Sequence, residues 1–272
     1  MDIHFIDVGC GNMTLMALPD GTIACVDCNI TEDNQARVLD YVDAVLGTDT
    51  AIDIFINSHR DADHMRGITT LHELHAIGSI WDTGVAGTSP ESSEYEDYMG
   101  LQQSLPTKTI EARKFWTYGG AKLRCMNAAW DDYSDPNDQS VVLKVEYGDS
   151  SVMLAGDTSY RPWQEKIIPH YSTSDLKSSI LMAAHHGSLT FFDDPSDEKN
   201  YFMSHIKKIA PSMTLVSVGP NQHGLPDSKA VELYEKHSSG SSKGNKLYTT
   251  DEKGTMMLTL KDEGGWNLSV KG

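Results

Sequence analysis

The sequence predicts an α/β fold in which two packed sheets carry helices on their outer faces and one site lies along their shared edge. Three observations carry this prediction. Apolar runs of strand length recur between helix-like segments along the whole chain. Each half opens with a hairpin and continues into helix and strand. Polar clusters stand at the strand ends, at Asp7 and Gly9, Asp27, His59 to His64, Asp157, His185 and His186, and Asn221 and His223. Loops that leave strand ends are where a rigid scaffold presents its chemistry. With 272 residues the chain is read as a single domain, 1–272, with halves of about 1–120 and 121–272.

In order, residues 2–8 place Ile3, Phe5 and Val8 among polar neighbours and break at Gly9-Cys10-Gly11. Strand-like runs at 14–18 and 22–26 flank Pro19-Asp20-Gly21, a turn whose proline and glycine preset the backbone. A helix is expected from about residue 32, with Val38, Tyr41, Val42 and Val45 on one face and Gly47 near its end. Residues 52–57 have the length and β-branched content of a buried strand. The next helix carries Ile68, Leu71, Leu74 and His75 toward the sheet. Its His72-Glu73-Leu74-His75 is one residue short of a zinc-protease H-E-x-x-H, so both histidines are read as structural or surface groups. Ile80-Trp81 begins another strand, and residues 84–110 are polar and poorly periodic, read as a loop or short-helix cover.

Strand character returns at 121–127. After a polar loop, 141–147 and 151–155 form a second hairpin that ends in Gly156-Asp157-Thr158. A helix near 161–168 precedes a strand at 179–184, which runs into His185-His186-Gly187-Ser188. A helix near 200–209, a strand at 213–218, a helix at 228–238 and two or three strands at 246–270 complete the chain.

The chemistry concentrates in residues 58–64. His59, Asp61, Asp63 and His64 are four potential metal ligands within six residues, directly after an apolar strand. Two imidazoles and two carboxylates suit borderline or hard divalent ions such as zinc or manganese. The net charge of -17 disfavours tight nonspecific binding to duplex DNA, which depends on many Lys and Arg contacts to phosphate. Bound divalent ions would reverse the field locally, so a nucleic-acid or nucleotide substrate stays open. Cys25 and Cys28 have C-x-x-C spacing inside a strand, where positions three apart face opposite sides, and are read with Cys10 and Cys125 as reduced thiols. The beginning of the chain has no basic stretch or small-residue cleavage site, and no run approaches the roughly 18 apolar residues that cross a bilayer. A cytoplasmic protein without membrane contact is the expectation.

Six segments, in order, resemble the metallo-β-lactamase superfamily, and within it the hydrolase domain of the ComEC-type DNA-uptake (competence) proteins and their free-standing relatives. They are D-V-G-C-G-N at 7–12, S-H-R-D-A-D-H at 58–64, N-D-Q-S-V-V-L at 137–143, L-A-G-D at 154–157, H-H-G-S at 185–188 and S-V-G-P-N-Q-H-G-L-P at 217–226. The resemblance implies a four-layer αββα sandwich, two mixed sheets packed face to face with helices outside. It also implies two divalent metal ions. His59, Asp61 and Asp157 would hold one; Asp63, His64, the shared Asp157 and His186 would hold the other, with His185 contacting phosphate. Asn137 stands where a further ligand histidine is expected, and Asp61 where many members have a second histidine; both exchanges favour harder ions, making manganese a rival to zinc. His223 stands in place of the family tyrosine in the loop 217–226 and Leu225 in place of its histidine.

The implied activity is hydrolysis of a phosphodiester, most simply by a nuclease acting on single strands or short nucleic acids, with a water between the ions attacking in line. Asp63 would orient that water, and His185 or His223 would assist a phosphate oxygen or the leaving group. Basic groups for guiding a strand are few: Lys108, Arg113, Lys114, Lys207, Lys208, Lys243 and Lys246. Two alternatives stay open: a hydrolase of a small phosphodiester such as a nucleotide or choline-phosphate ester, and a catalytically decayed scaffold or sensor in a multi-protein assembly. No residue identifies a protein partner. In residues 190–202, acidic groups would exclude polyanions, or Phe191 and Phe192 would stack a base.

Overall fold

The computed structural model describes residues 1–87, 89–127, 133–193, 200–240 and 245–271. Among these residues the strands are β1 (Asp2–Phe5), β2 (Thr14–Ala17), β3 (Ile23–Val26), β4 (Cys28–Asn29), β5 (Ile54–Ile56), β6 (Ile80–Asp82), β7 (Thr107–Thr109) and β8 (Phe115–Tyr118). Then come β9 (Ala121–Cys125), β10 (Leu143–Tyr147), β11 (Ser150–Leu154), β12 (Ile180–Met182), β13 (Met213–Val216), β14 (Leu247–Thr249), β15 (Met256–Leu260) and β16 (Trp266–Val270). All but β4, which bridges to Met65 and Arg66, form two sheets, in the orders β16-β15-β1-β2-β3-β5-β6-β7 and β14-β13-β12-β11-β10-β9-β8.

Each sheet is mixed, for one reason. Where strands consecutive in the chain join without a described α-helix between them, as β1-β2-β3 and β8-β9-β10-β11 do, they pair antiparallel. Where a helix intervenes, the next strand pairs parallel, as along β3-β5-β6-β7 and β11-β12-β13-β14. In the first sheet the intervening helices are α1 (Gln35–Leu46), α2 (Ala62–Met65), α3 (Ile68–Leu74) and α4 (Ser93–Ser104). In the second they include the helical run Tyr160–Pro162, Trp163–Ile167 and Ile168–His170, then Ser204–Ile209 and Ser228–His237. β15 and β16 return from the second half to pair on β1, so the sheets do not coincide with the halves 1–120 and 121–272.

Strand alternation sorts the apolar side chains into three layers. Ala24, Val26, Ile54 and Ile56 of the first sheet meet Leu143, Val145, Val152 and Leu154 of the second between the sheets. Cys25, Phe55 and Ile80 face outward onto Val38, Val42, Ile68, Leu71 and Tyr98. Met153, Leu181 and Val216 face outward onto Trp163, Ile167, Ile206, Leu233 and Tyr234. Three apolar layers between four structural layers make the expected αββα sandwich. No helix is long and apolar enough to cross a membrane among the described residues.

Two expectations change. α4 lies within the segment read as a loop or short cover; its Tyr95, Tyr98 and Met99 make a short apolar face on the first sheet's outer core, set among polar residues, and Gln102 contacts Asp82 through a hydrogen bond. Phe191 and Phe192 do not offer stacking faces. Both are fully buried among His205, Trp163 and Tyr234, with Phe191 stacked on His205 at 4.0 Å between ring centroids. The acidic part of that segment, 194–199, and Lys243 lie outside the described residues.

Candidate metal centre

Four strand ends deliver the cluster. β3 breaks at Asp27, whose φ of +59° turns the chain between Val26 and Cys28. β5 leads through Asn57 and Ser58 into His59, Asp61, Asp63 and His64; β11 leads to Asp157 and β12 to His185 and His186. Gly156 must be glycine here: its φ is +56°, and a Cβ would stand 2.7 Å from Ser140 Cβ. That close approach lets Ser140 Oγ accept the Asp157 amide at 3.1 Å and sets the carboxylate in place.

The carboxylate of Asp157 lies at the centre. Its Oδ1 is 3.3 Å from His64 Nε2, and its Oδ2 is 3.6 Å from His186 Nε2, 3.8 Å from His185 Nε2 and 4.0 Å from His59 Nε2. Asp63 Oδ2 lies 3.2 Å from His186 Nε2 and 4.0 Å from His64 Nε2, and Asp61 Oδ2 lies 3.7 Å from His59 Nε2. Two donor groups result, His59 with His64 and Asp157, and Asp63 with His64 and His186; within each, the ligand atoms lie within 4.8 Å of one another.

Each buried imidazole is aimed by a bond to its other nitrogen, the arrangement that readies Nε2 for a metal. His64 Nδ1 meets Asp27 Oδ2 at 2.8 Å, His186 Nδ1 donates to the Ser217 carbonyl at 3.0 Å, and His59 Nδ1 meets Ser58 Oγ at 3.1 Å. Asp27 is itself held by the Ser58 amide at 2.6 Å and the Ser58 hydroxyl at 2.7 Å. These orienting groups carry no spacing signal in the sequence. Asp27 was visible only as a polar residue at a strand end, and Ser58, Ser140 and Ser217 were visible only as parts of motifs.

Burial pulls the His64 and His186 imidazoles down, but the surrounding carboxylates outweigh it and hold both above the ordinary value, His64 well above. Burial raises Asp63 and Asp157, and the imidazoles outweigh it, leaving both carboxyls below the usual range. For His59, burial together with neighbouring His64 prevails, and its pKa is lowered. The cluster therefore attracts cations. Among the described residues, His59 Nε2, His64 Nε2, His186 Nε2 and Asp157 Oδ1 are also buried without a hydrogen-bond partner. Buried polar atoms normally have partners, and four lone at one point fit divalent cations.

The other predicted site residues differ in exposure and contacts. His185, 29% exposed at its side chain, stands at the rim, and exposed His223 lines a cavity of about 330 Å³ with Cys10, Asp63, Arg66, Asn221 and Gln222. Asn137 opens the 3-10 turn Asn137–Gln139, and its described hydrogen bonds are made by its backbone. The side chain this turn buries is Asp138, which accepts the Ser159 amide at 2.9 Å. Lys108 packs over Trp81 at 3.9 Å and Trp116 at 4.5 Å.

The family model of the metallo-beta-lactamase superfamily matches residues 7–190, from the first loop through the histidine pair. The chain belongs to the metallo-β-lactamase superfamily. By family it is a metal-dependent hydrolase, and the His/Asp cluster is its candidate metal centre. Competence protein ComA of Neisseria gonorrhoeae is 24% identical over 210 residues, 77% of this chain and 25% of ComA, so the chain spans about a quarter of that relative's length. Among solved structures of the superfamily fold, YhfI of Bacillus subtilis has a TM-score of 0.54 at 14% identity, covering 99% of this chain and 100% of YhfI. CmlA, a diiron β-hydroxylase of Streptomyces venezuelae, has a TM-score of 0.56 at 14% identity, covering 95% of this chain and 54% of CmlA. At such identities the likeness shows the fold alone.

Proposed function

We propose that this protein is a phosphodiesterase that uses two divalent ions, zinc or manganese, and acts as a nuclease on single-stranded or short nucleic acids. The observation that carries the reading is the pair of donor groups that share His64 around the carboxylate of Asp157. His59, Asp61 and Asp157 would hold one ion, and Asp63, His64, Asp157 and His186 the other. The ions supply charge opposite the phosphoryl oxygens and lower the pKa of an attacking water.

The protein's own groups do the rest. Asp63 is the most exposed carboxylate of the cluster, with a side-chain exposure of 34%, and it lines the cavity a substrate would enter, so it is placed to orient the attacking water. His185 and His223, on the rim, would donate to a non-bridging oxygen or to the leaving oxygen. Oxygen donors from three aspartates favour harder ions, which supports manganese beside zinc. The 24% identity to a protein named for competence supports a nucleic-acid substrate. The net charge of -17 favours the second reading, a small phosphodiester such as a nucleotide or choline-phosphate ester.

The test is hydrolysis of bis-p-nitrophenyl phosphate and of labelled single-stranded and duplex DNA after reconstitution with manganese or zinc, beside Asp63→Ala. Cleavage of DNA that needs metal and disappears in the variant is the expected result. Cleavage of the small diester alone selects the second reading, and no cleavage with two ions bound refutes both.

A further inference from the structure

Arg66 has no part in the cluster described above, yet it shares the 330 Å³ cavity with Asp63 and His223. Asp63 and Arg66 are three positions apart across the single turn α2, a spacing that puts side chains on one face. Among the described residues lining that cavity, Arg66 is the one permanent cation.

Its backbone is pinned. The Arg66 carbonyl accepts the Ile30 amide at 2.9 Å and the Cys28 thiol at 3.3 Å. Gly67 follows with φ +75°, and a Cβ there would stand 2.5 Å from Ile30 Cβ, so the chain after Arg66 is pressed against β4's exit. The guanidinium is aimed as well. Nε donates to Glu94 Oε1 at 3.0 Å and Nη1 to Asn29 Oδ1 at 2.9 Å. Buried Asn29 is locked in turn by donating from Nδ2 to the Cys10 carbonyl at 2.8 Å. Nη2 donates no hydrogen bond among the described residues. A fork held at two of its nitrogens loses little freedom when the third meets a ligand.

We propose that Arg66 anchors a second phosphate beside the one being cleaved, so that the site selects substrates with flanking anionic phosphates over isolated diesters. This rests on the phosphodiesterase reading and narrows its substrate class. Glu94 and Asn29 act as positioning residues for the fork, and Arg66 makes the contact.

The experiment uses the metal-loaded protein as wild type, Arg66→Ala and Arg66→Lys, with bis-p-nitrophenyl phosphate and a short labelled thymidine oligonucleotide. Loss of a charge-assisted bond to phosphate predicts a KM for the oligonucleotide about ten- to a hundredfold higher in Arg66→Ala, with kcat changed less than about threefold. The KM for bis-p-nitrophenyl phosphate and the bound metal stay within about twofold of wild type. Arg66→Lys keeps the charge without the fork and recovers part of the loss; it serves alone should the alanine variant misfold. Parallel changes on both substrates, or none on either, overturn the proposal. If wild type cleaves neither substrate, the phosphodiesterase reading fails by itself. The anchor is then read from calorimetric affinities for pyrophosphate and orthophosphate: a ratio about tenfold lower in the variant supports it, and an unchanged ratio overturns it.

Discussion

Asp27→Asn is the sharpest test of how the fold prepares its metal ligands. The Ser58 amide donates to Asp27 Oδ1 at 2.6 Å, so after the exchange the amide oxygen stays there and the new NH2 group takes the position of Oδ2, 2.8 Å from His64 Nδ1. An NH2 group only donates. His64 Nδ1 must then accept, its proton moves to Nε2, and the nitrogen aimed at Asp157 loses the lone pair a metal needs. The backbone is undisturbed, because asparagine tolerates the left-handed φ of +59° at least as well as aspartate. Losing such an orienting carboxylate costs about 10- to 100-fold in metal affinity, or roughly 1.4–2.7 kcal/mol. Competition against a chromophoric chelator at pH 7 measures it, with apo-protein melting as the control for folding. Metal affinity should weaken, since His64 belongs to both donor groups. Affinities within twofold of wild type for both ions, with an unchanged apo Tm, would refute the tautomer argument.

Two further predictions concern stability. Asp82, 1% exposed, accepts from Arg60 Nε at 3.1 Å and Nη2 at 2.8 Å, Tyr98 Oη at 2.7 Å, Gln102 Nε2 at 2.8 Å and the Gly84 amide at 2.9 Å. Asp82→Ala strands the Arg60 charge between His59 and Asp61 and should cost about 3–5 kcal/mol in urea unfolding, with weaker metal binding; a loss under about 1 kcal/mol contradicts it. Burial lowers His205 from 6.5 to about 3. The unfolded chain therefore takes up a proton that the folded chain refuses, and stability present above pH 6.5 is lost as pH falls toward 3. Between pH 7 and 5 this amounts to about 2 kcal/mol. His205→Leu should flatten the decline by that amount in urea melts at the two pH values, and an unchanged slope counts against it.

Much of the fold was readable because apolar periodicity reports burial directly. The hairpins, the helix starting near residue 32, the strand before His59 and the C-terminal strands all followed from it. α4 escaped because its apolar face is short, Tyr95, Tyr98 and Met99, and because Tyr98 and Gln102 also dock onto Asp82 by hydrogen bonds, which leave no periodic signal. Phe191 and Phe192 were ambiguous because an aromatic pair looks alike whether it faces solvent or core; His205, Trp163 and Tyr234 come from distant segments to enclose them.

By itself the sequence determined the donor chemistry and the superfamily resemblance, since the ligand types and their loops are local: His59 through His64 lie within one turn of strand and helix, and Asp157 and His186 each end an apolar run. Only the tertiary structure decided which donors meet. It turned His186 rather than His185 inward, put Asp27 behind His64, and brought Arg66 into one cavity with His223. Those relations join residues about 30 to 160 positions apart along the chain. They depend on how two sheets align their edges, which no local pattern encodes.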